Sequence, residues 1–324
     1  MADLFYDVRN ALVVGNYHQA IAEASGVRTT SRKTEEVNAF QTEKETLLAL
    51  GQIGLGQGEA VIAQLSSATN PVLIAVKNWA TFCLAVKNCS DASQLTSAVE
   101  APLQVLTEAA AEVSPERIQI AVFASSALFT IGNNGEALKL AKRWLDEVKK
   151  PQTTSMQRQL TALRAVVVEA LLKIRRVDLA RSEVRSMEQS DEESVLTVLY
   201  SGITSLYEGS ASLESYHNAM RCFKEVTTIC GQSVMISNLM ALAQIGLGEF
   251  KSAEKCLFDA LAVRPGDPDT STNLAVVASH LGMAPDAVNR CITQAKTNIG
   301  PWSRTYAAMS AKFDEAVTQF KQSA

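Results

Sequence analysis

Apolar residues recur along most of the chain at the three- and four-residue spacing of amphipathic α-helices, and short turns with glycine or proline separate the segments. The string Gln-Ile-Gly-Leu-Gly occurs at 52–56 and again at 244–248, each time between two helical patterns. The second copy lies in the clearest repeat unit, whose marker residues are Leu239, Leu242, Gly248, Ala253, Leu257, Ala260 and Pro265. Their order predicts a tetratricopeptide-like unit: a first helix, a glycine turn, a second helix with small residues, and a closing proline.

A small residue in the second helix can be followed through the whole chain. This series, the anchor alanines, is Ala20, Ala60, Ala98, Ala137, Ala180, Ala219, Ala253 and Ala287, with spacings of 40, 38, 39, 43, 39, 34 and 34 residues. Alanine is expected there because two antiparallel helices approach each other closely at that level. The larger upstream spacings predict longer loops or longer helices in the first 200 residues.

The repeats predict an all-α fold: a right-handed α-solenoid of tetratricopeptide-like helix pairs with a C-terminal capping helix. We expect a single domain over residues 1–324, with degenerate repeats over about 4–200 and the clearest repeats over about 200–300. The capping helix is predicted over 301–322, where the apolar residues at helical spacing are Trp302, Tyr306, Met309, Phe313, Ala316, Val317 and Phe320.

Composition narrows the class of protein. Hydrophobic residues make up 47% of the chain and charged residues 20%, which excludes a disordered protein. Thirty basic residues against 34 acidic ones give a net charge of -4, so a chain-wide nucleic-acid surface is not expected. The N-terminus has neither a basic segment nor a long apolar run, so we expect a cytoplasmic protein whose six cysteines are reduced thiols.

No pattern in the chain predicts catalysis. Residues 54–58 (Gly-Leu-Gly-Gln-Gly) resemble a phosphate loop, but a helical segment precedes them where a dinucleotide site needs a strand. The three histidines stand in no metal-binding motif. The acidic run 191–193 is interpreted as the N-terminal turn of a helix, where acids complement the helix dipole. We therefore predict a non-enzymatic protein with no catalytic residues, no cofactor and no metal.

A protein partner is the expected ligand, and first helices are expected to line the groove that binds it. The predicted groove residues are Phe5, Val122, Phe129, Leu172, Asn238, Leu242, Asn273, Val276 and His280. Some tetratricopeptide proteins hold a terminal carboxylate with Lys and Asn on first helices, and none of the equivalent positions here carries that pair. The residues instead favour an extended or β-hairpin segment held by apolar contacts.

Three stretches resemble the coatomer epsilon subunit family, of the COPI vesicle coat, and they follow one another in the family's order. The first comprises Leu4-Phe5, Arg9-Asn10, Gly15, Tyr17, Gln19 and Ile21. The second comprises Asp178-Leu179-Ala180-Arg181, Glu183, Met187, Asp191-Glu192 and Leu196-Thr197. The third begins with the unit over 238–265 and continues through Asn273-Leu274, His280-Leu281-Gly282, Pro285, Asn289-Arg290 and Phe313-Asp314.

The resemblance implies a structural coat subunit that curls around a segment projecting from the C-terminal region of the alpha subunit of coatomer. It also implies association with the other coatomer subunits, and recruitment from the cytoplasm to Golgi and COPI vesicle membranes through an Arf-family GTPase. The expected process is Golgi-to-ER retrograde and intra-Golgi transport. The alternative is a generic tetratricopeptide adaptor or co-chaperone that binds peptide segments.

Overall fold

The computed structural model describes residues 3–91, 93–148, 150–192, 194–209, 212–297 and 300–323. Within these ranges the chain forms seventeen α-helices and no strand. The first eight helices are α1 (Tyr6–Val13), α2 (Tyr17–Gly26), α3 (Thr34–Gly54), α4 (Gly58–Gln64), α5 (Pro71–Asn88), α6 (Leu95–Ala109), α7 (Ile118–Thr130) and α8 (Asn134–Glu147). The remaining nine are α9 (Thr154–Lys173), α10 (Val177–Asp191), α11 (Val195–Glu208), α12 (Leu213–Cys230), α13 (Val234–Gly246), α14 (Phe250–Val263), α15 (Pro268–His280), α16 (Pro285–Thr297) and α17 (Pro301–Ser323). The all-α prediction is confirmed.

Sixteen of the helices form eight consecutive pairs, each with an odd-numbered first helix and an even-numbered second helix. The turns inside several pairs need a residue with positive φ to reverse the chain, and glycine adopts that conformation without a steric penalty. Gly132 and Gly248 have φ of 85° and 77° in the turns before α8 and α14. The turn before α10 carries Arg175 instead, at φ 61°.

The eight anchor alanines all lie in second helices, as the repeat pattern predicted. The fully buried members are Ala20, Ala137, Ala180, Ala219 and Ala253. Ala60 and Ala98 are exposed, and the next residues, Val61 and Val99, are completely buried in their place. The predicted register is therefore wrong by one residue in the second and third pairs, because valine and not alanine is the residue at that helix contact.

Neighbouring first helices contact one another from α1 to α15, whereas consecutive second helices make little or no contact. First helices therefore line the inner side of the curved array, and second helices form the outer side. Adjacent pairs are joined by apolar packing and by hydrogen bonds. In one of these, the buried Trp144 indole Nε1 donates to the carbonyl oxygen of Ala110 at 2.9 Å.

The array curls back on itself, so that its first pair contacts pairs far along the chain. Helix α1 packs on α11 and α12, and Val14 is buried in one apolar cluster with Phe223 and Ile236. At the other end, the Arg304 guanidinium donates to the carbonyl oxygens of Val86 (3.3 Å) and Cys89 (3.1 Å) at the end of α5. These contacts hold the array in a closed, strongly curved form.

The terminal helix α17 forms where it was predicted, from Pro301 to Ser323. Its first turns lie against the array, with Trp302 half-buried and its ring 5.1 Å from that of Tyr306. Further along, Met309, Phe313 and Phe320, which were expected to cover the end of the stack, are exposed, whereas Val317 is half-buried.

Candidate partner-binding groove

The exposed apolar part of the predicted groove lies on the last two first helices. Leu242 of α13 and Val276 of α15 occupy equivalent repeat positions 34 residues apart, and they are 41% and 43% exposed. Their neighbours on the same helices are largely buried, because α13 and α15 pack into the core through Ala241, Leu274 and Val277. Two branched aliphatic side chains therefore project into solvent from the inner side of the array.

A buried polar network joins the two helices directly below this surface. The Asn238 carboxamide donates to Thr270 Oγ1 at 2.8 Å and accepts from Asn273 Nδ2 at 2.9 Å. Thr270 in turn donates its hydroxyl hydrogen to Asp267 Oδ2 at 2.8 Å, and its backbone N–H donates to the same oxygen at 3.0 Å. Because Asp267 caps the N-terminus of α15, the network fixes the register of α15 against α13 and orients Asn273.

His280 lies at the end of α15 and is exposed. Its ring stacks on Phe250, the first residue of α14, with ring centroids 4.3 Å apart and an interplanar angle of 8°. One face of the imidazole is therefore covered, and the ring ties the end of a first helix to the start of the preceding second helix.

The remaining predicted groove residues offer less surface. Phe5, Leu172 and Asn238 are buried, and Phe5 stacks on Phe40 with centroids 5.1 Å apart. Val122 and Phe129 are half-buried, and Val122 packs against the core around α9. Of the predicted groove residues, the exposed ones are therefore Leu242, Val276 and His280, which all lie on α13 and α15.

Sequence reasoning missed an ion network that holds the N-terminus across the array. Asp3 accepts from Arg9 at 3.2 Å and lies 3.8 Å from Arg158, which also binds both carboxylate oxygens of Asp191 at 2.6 Å. Arg9 also pairs with Glu43. These five side chains are at most 20% exposed, so water screens the pairs less than it screens surface pairs.

Asp191 has a different position from the one predicted. It ends α10 instead of opening the next helix, and the next helix, α11, begins at Val195. Its carboxylate accepts from Arg158 and, at 3.3 Å, from the Thr161 hydroxyl. The run 191–193 was therefore interpreted wrongly at Asp191, and Glu193 lies outside the described residues.

One carboxyl and one phenol meet on the first helices of the middle pairs. Tyr200 of α11 donates its hydroxyl hydrogen to Glu169 of α9. Burial raises the pKa of Glu169, although this hydrogen bond opposes the shift. The pKa of Tyr200 lies well above its ordinary value because of burial and the neighbouring carboxylate. The hydrogen bond therefore links two neighbouring first helices, α9 and α11, inside the array.

Two of the thiols are held in the protonated form by burial. Burial raises the pKa of Cys83 to about 12 and that of Cys230 to about 11, so both stay protonated near neutral pH. Across the described ranges, no group of three or more His, Cys, Asp or Glu side chains is arranged to hold a metal ion. A search of the described helices for one long and apolar enough to cross a membrane found none.

Comparison with solved structures identifies the class of protein. A tetratricopeptide repeat protein from Thermus thermophilus superposes with a TM-score of 0.51 over 60% of this chain and 99% of its own, at 17% identity. A second, from Parabacteroides merdae, superposes with a TM-score of 0.52 over 80% of this chain and 94% of its own, at 12% identity. The fold is therefore a tetratricopeptide-type α-solenoid.

Sequence comparison identifies the family. Residues 1–321 match the family model of the coatomer epsilon subunit. The coatomer subunit epsilon of Caenorhabditis elegans is 26% identical over 321 residues, covering 98% of this chain and 99% of that protein. The coatomer subunit epsilon-1 of Arabidopsis thaliana is 24% identical over 284 residues, covering 86% and 85%. The chain belongs to the coatomer epsilon subunit family, which supports a role as a non-catalytic subunit of the COPI coatomer, associated with other coatomer subunits.

Proposed function

We propose that the chain binds the C-terminal region of the alpha subunit of coatomer through the groove formed by α13 and α15. In this role it supports Golgi-to-ER retrograde and intra-Golgi transport, as a peripheral component on Golgi and COPI vesicle membranes. An Arf-family GTPase recruits it there as part of the whole coat. The observation that carries the proposal is the pair of exposed aliphatic side chains, Leu242 and Val276, held in register by a buried polar network.

The chemistry of this surface suits an extended or hairpin segment. Leu242 and Val276 supply apolar contact, while the half-buried Asn273, held by Asn238, presents its amide oxygen beside them. An extended chain alternates its side chains and exposes main-chain N–H groups, so it can use both features. Lasting association between subunits commonly relies on a few apolar anchors in a desolvated centre.

Changing Leu242 and Val276 together to Asp tests the proposal. Burying two unpaired carboxylates should weaken binding to the alpha subunit's C-terminal fragment by at least about a hundredfold. The matched control is Phe258→Asp with Val263→Asp, because both residues are at least as exposed but lie on the outer helix α14. A groove variant that folds normally and binds as tightly as wild type would move the partner to another surface.

Affinity capture from a cytosolic extract separates this function from that of a generic adaptor. A coat subunit should retain a stoichiometric set of larger coatomer subunits, whereas an adaptor or co-chaperone should retain chaperones or diverse peptides. Retention of coatomer subunits by wild type, with selective loss of the alpha subunit from the groove variant, is the expected result.

A further inference from the structure

The turn between α9 and α10 has an arginine where five equivalent turns have glycine. In all six turns the residue at positive φ donates its backbone N–H to the carbonyl three residues before it, and the next residue donates to the carbonyl five residues before it. The glycines, with φ between 68° and 85°, are Gly15, Gly56, Gly132, Gly248 and Gly282. Arg175 adopts the same conformation at φ 61°. This conformation strains a residue that has a Cβ atom, and residues strained in this way are concentrated at functional sites.

The side chains of Arg175 and Lys173 are exposed and have no counter-charge. Neither forms an ion pair or a side-chain hydrogen bond with the residues that the structure describes. The acidic side chains of the adjoining elements, Asp178 and Glu208, are already paired with other arginines, and the Glu208 pair ties the end of α11 to α10. Two cationic groups are therefore available at this turn for an external anion.

Exposed apolar side chains accompany these two cations. Ile174 follows Lys173 directly and is 44% exposed, and Leu179 in the first turn of α10 is 40% exposed. The turns inside successive pairs of a solenoid follow one edge of the array, so Tyr207, 52% exposed at the end of α11, lies along the same edge. We call Lys173, Ile174, Arg175, Leu179 and Tyr207 the turn-edge patch.

We propose that the turn-edge patch binds an extended acidic segment of a protein partner, in which carboxylates flank a bulky apolar side chain. Arg175 and Lys173 receive the carboxylates, and Ile174, between them in sequence, receives the apolar side chain together with Leu179. A guanidinium group can donate two parallel hydrogen bonds to one carboxylate, whereas lysine supplies a compact charge. The contact made by the guanidinium gives a reason for an arginine at a position where glycine would be unstrained.

An anionic membrane fits the turn-edge patch less well than an acidic segment does. A lipid surface presents negative charge on all sides and would also meet Asp178 and Glu208, whereas a segment places its carboxylates only opposite the two unpaired cations. Recruitment to anionic lipid commonly uses clusters of about four to eight basic residues. The patch is also separate from the groove on α13 and α15, so this proposal and the groove proposal can fail independently.

Fluorescence anisotropy with the full-length chain tests the proposal, and the probe is a labelled peptide of sequence Gly-Asp-Glu-Trp-Glu-Asp-Gly. Wild type should bind this peptide with a dissociation constant of about 100 μM at low ionic strength. Added salt should weaken the binding, because the pairs form at an exposed surface. The same peptide with Asn and Gln in place of Asp and Glu should bind at least about tenfold more weakly.

Lys173→Ala with Arg175→Gly should weaken binding of the acidic peptide by at least about tenfold. Because glycine relieves the strain at position 175, the melting temperature should not fall, which separates a loss of binding from a loss of folding. The matched control is Lys251→Ala with Lys255→Ala, which removes the same charge from exposed positions on the outer helix α14, close in sequence to the exposed Phe258. The control should bind within about twofold of wild type.

The apolar part of the patch is tested with Ile174→Ser, which should weaken peptide binding by at least about threefold. Sedimentation with vesicles of phosphatidylcholine containing about 30% phosphatidylserine tests the membrane alternative. The proposal would be overturned if wild type does not bind the acidic peptide, if the α14 control loses as much affinity as the patch variant, or if Ile174→Ser leaves the affinity unchanged. Loss of vesicle binding in place of peptide binding in the Lys173 and Arg175 variant would assign the patch to a membrane and would also overturn it.

Discussion

Ala253 is the residue at which the repeat register can be tested most directly. It is completely buried in the fourth position of α14, in an apolar cluster with Leu257, Leu274 and Val277. Ala253→Phe would place a ring where α14 meets its neighbouring helices. Overpacking of a core typically costs about 1–3 kcal/mol, and a whole phenyl ring belongs at the upper end of that range.

The expected change in melting temperature follows from the size of the protein. An unfolding entropy of about 2.1 cal/mol/K per residue gives roughly 0.7 kcal/mol/K for a chain of this length, so ~3 kcal/mol corresponds to roughly 4 °C. The decrease is larger if the C-terminal repeats unfold separately from the rest, as repeat arrays often do. Thermal unfolding followed by circular dichroism measures the shift.

Ala60→Phe is the matched control. Ala60 is the anchor alanine of the second pair, but it is exposed because Val61 takes the buried position there. Both variants replace an alanine in a helix by phenylalanine, so both lose the same helix propensity. This loss cancels when the two melting temperatures are compared. Ala60→Phe should stay within about 0.5 kcal/mol of wild type. Equal melting temperatures for the two variants would refute the assignment of Ala253 to a close helix contact.

Two further predictions concern single side chains in the middle of the array. Arg175→Gly should stabilise the protein by up to about 1 kcal/mol, measured by chemical denaturation. A φ of 61° strains the arginine backbone, and we expect the relief of this strain to exceed the cost of the greater conformational entropy of glycine in the unfolded state. A loss of stability would contradict this expectation. Glu169→Gln should raise the melting temperature near neutral pH, since burial penalises the charged carboxylate while glutamine can still accept from Tyr200. Because the pKa of Glu169 is raised in the folded state, its penalty develops as pH rises above the ordinary value of 4.5. The advantage of the glutamine variant should therefore vanish in acid, and an advantage independent of pH would show that the charge is not the cause.

Local patterns were enough to predict the all-α fold, the eight helix pairs and the terminal helix. Helical periodicity, turn glycines and boundary prolines act within a few residues, so they can be read directly from neighbouring positions. Leu242 and Val276 were predicted as groove residues for the same reason, since their equivalence depends only on a regular 34-residue repeat. The register failed at Ala60 and Ala98, where the repeats are longer and valine replaces alanine at the contact.

Contacts between distant parts of the chain were decided only by the tertiary structure. The curvature of the array results from small rotations between successive helix pairs, added over many pairs. A local sequence pattern does not predict this total rotation. It brings Asp3 to Arg158 and Val14 to Phe223, and it buries Phe5, which the repeat position alone placed in the groove. The same curvature leaves Met309 and Phe313 of α17 exposed, although the sequence alone predicted that this helix would pack on the end of the stack. The local sequence thus determines which residues form helices. The accessibility of each helix face depends instead on how the successive helix pairs are arranged relative to one another in the folded array.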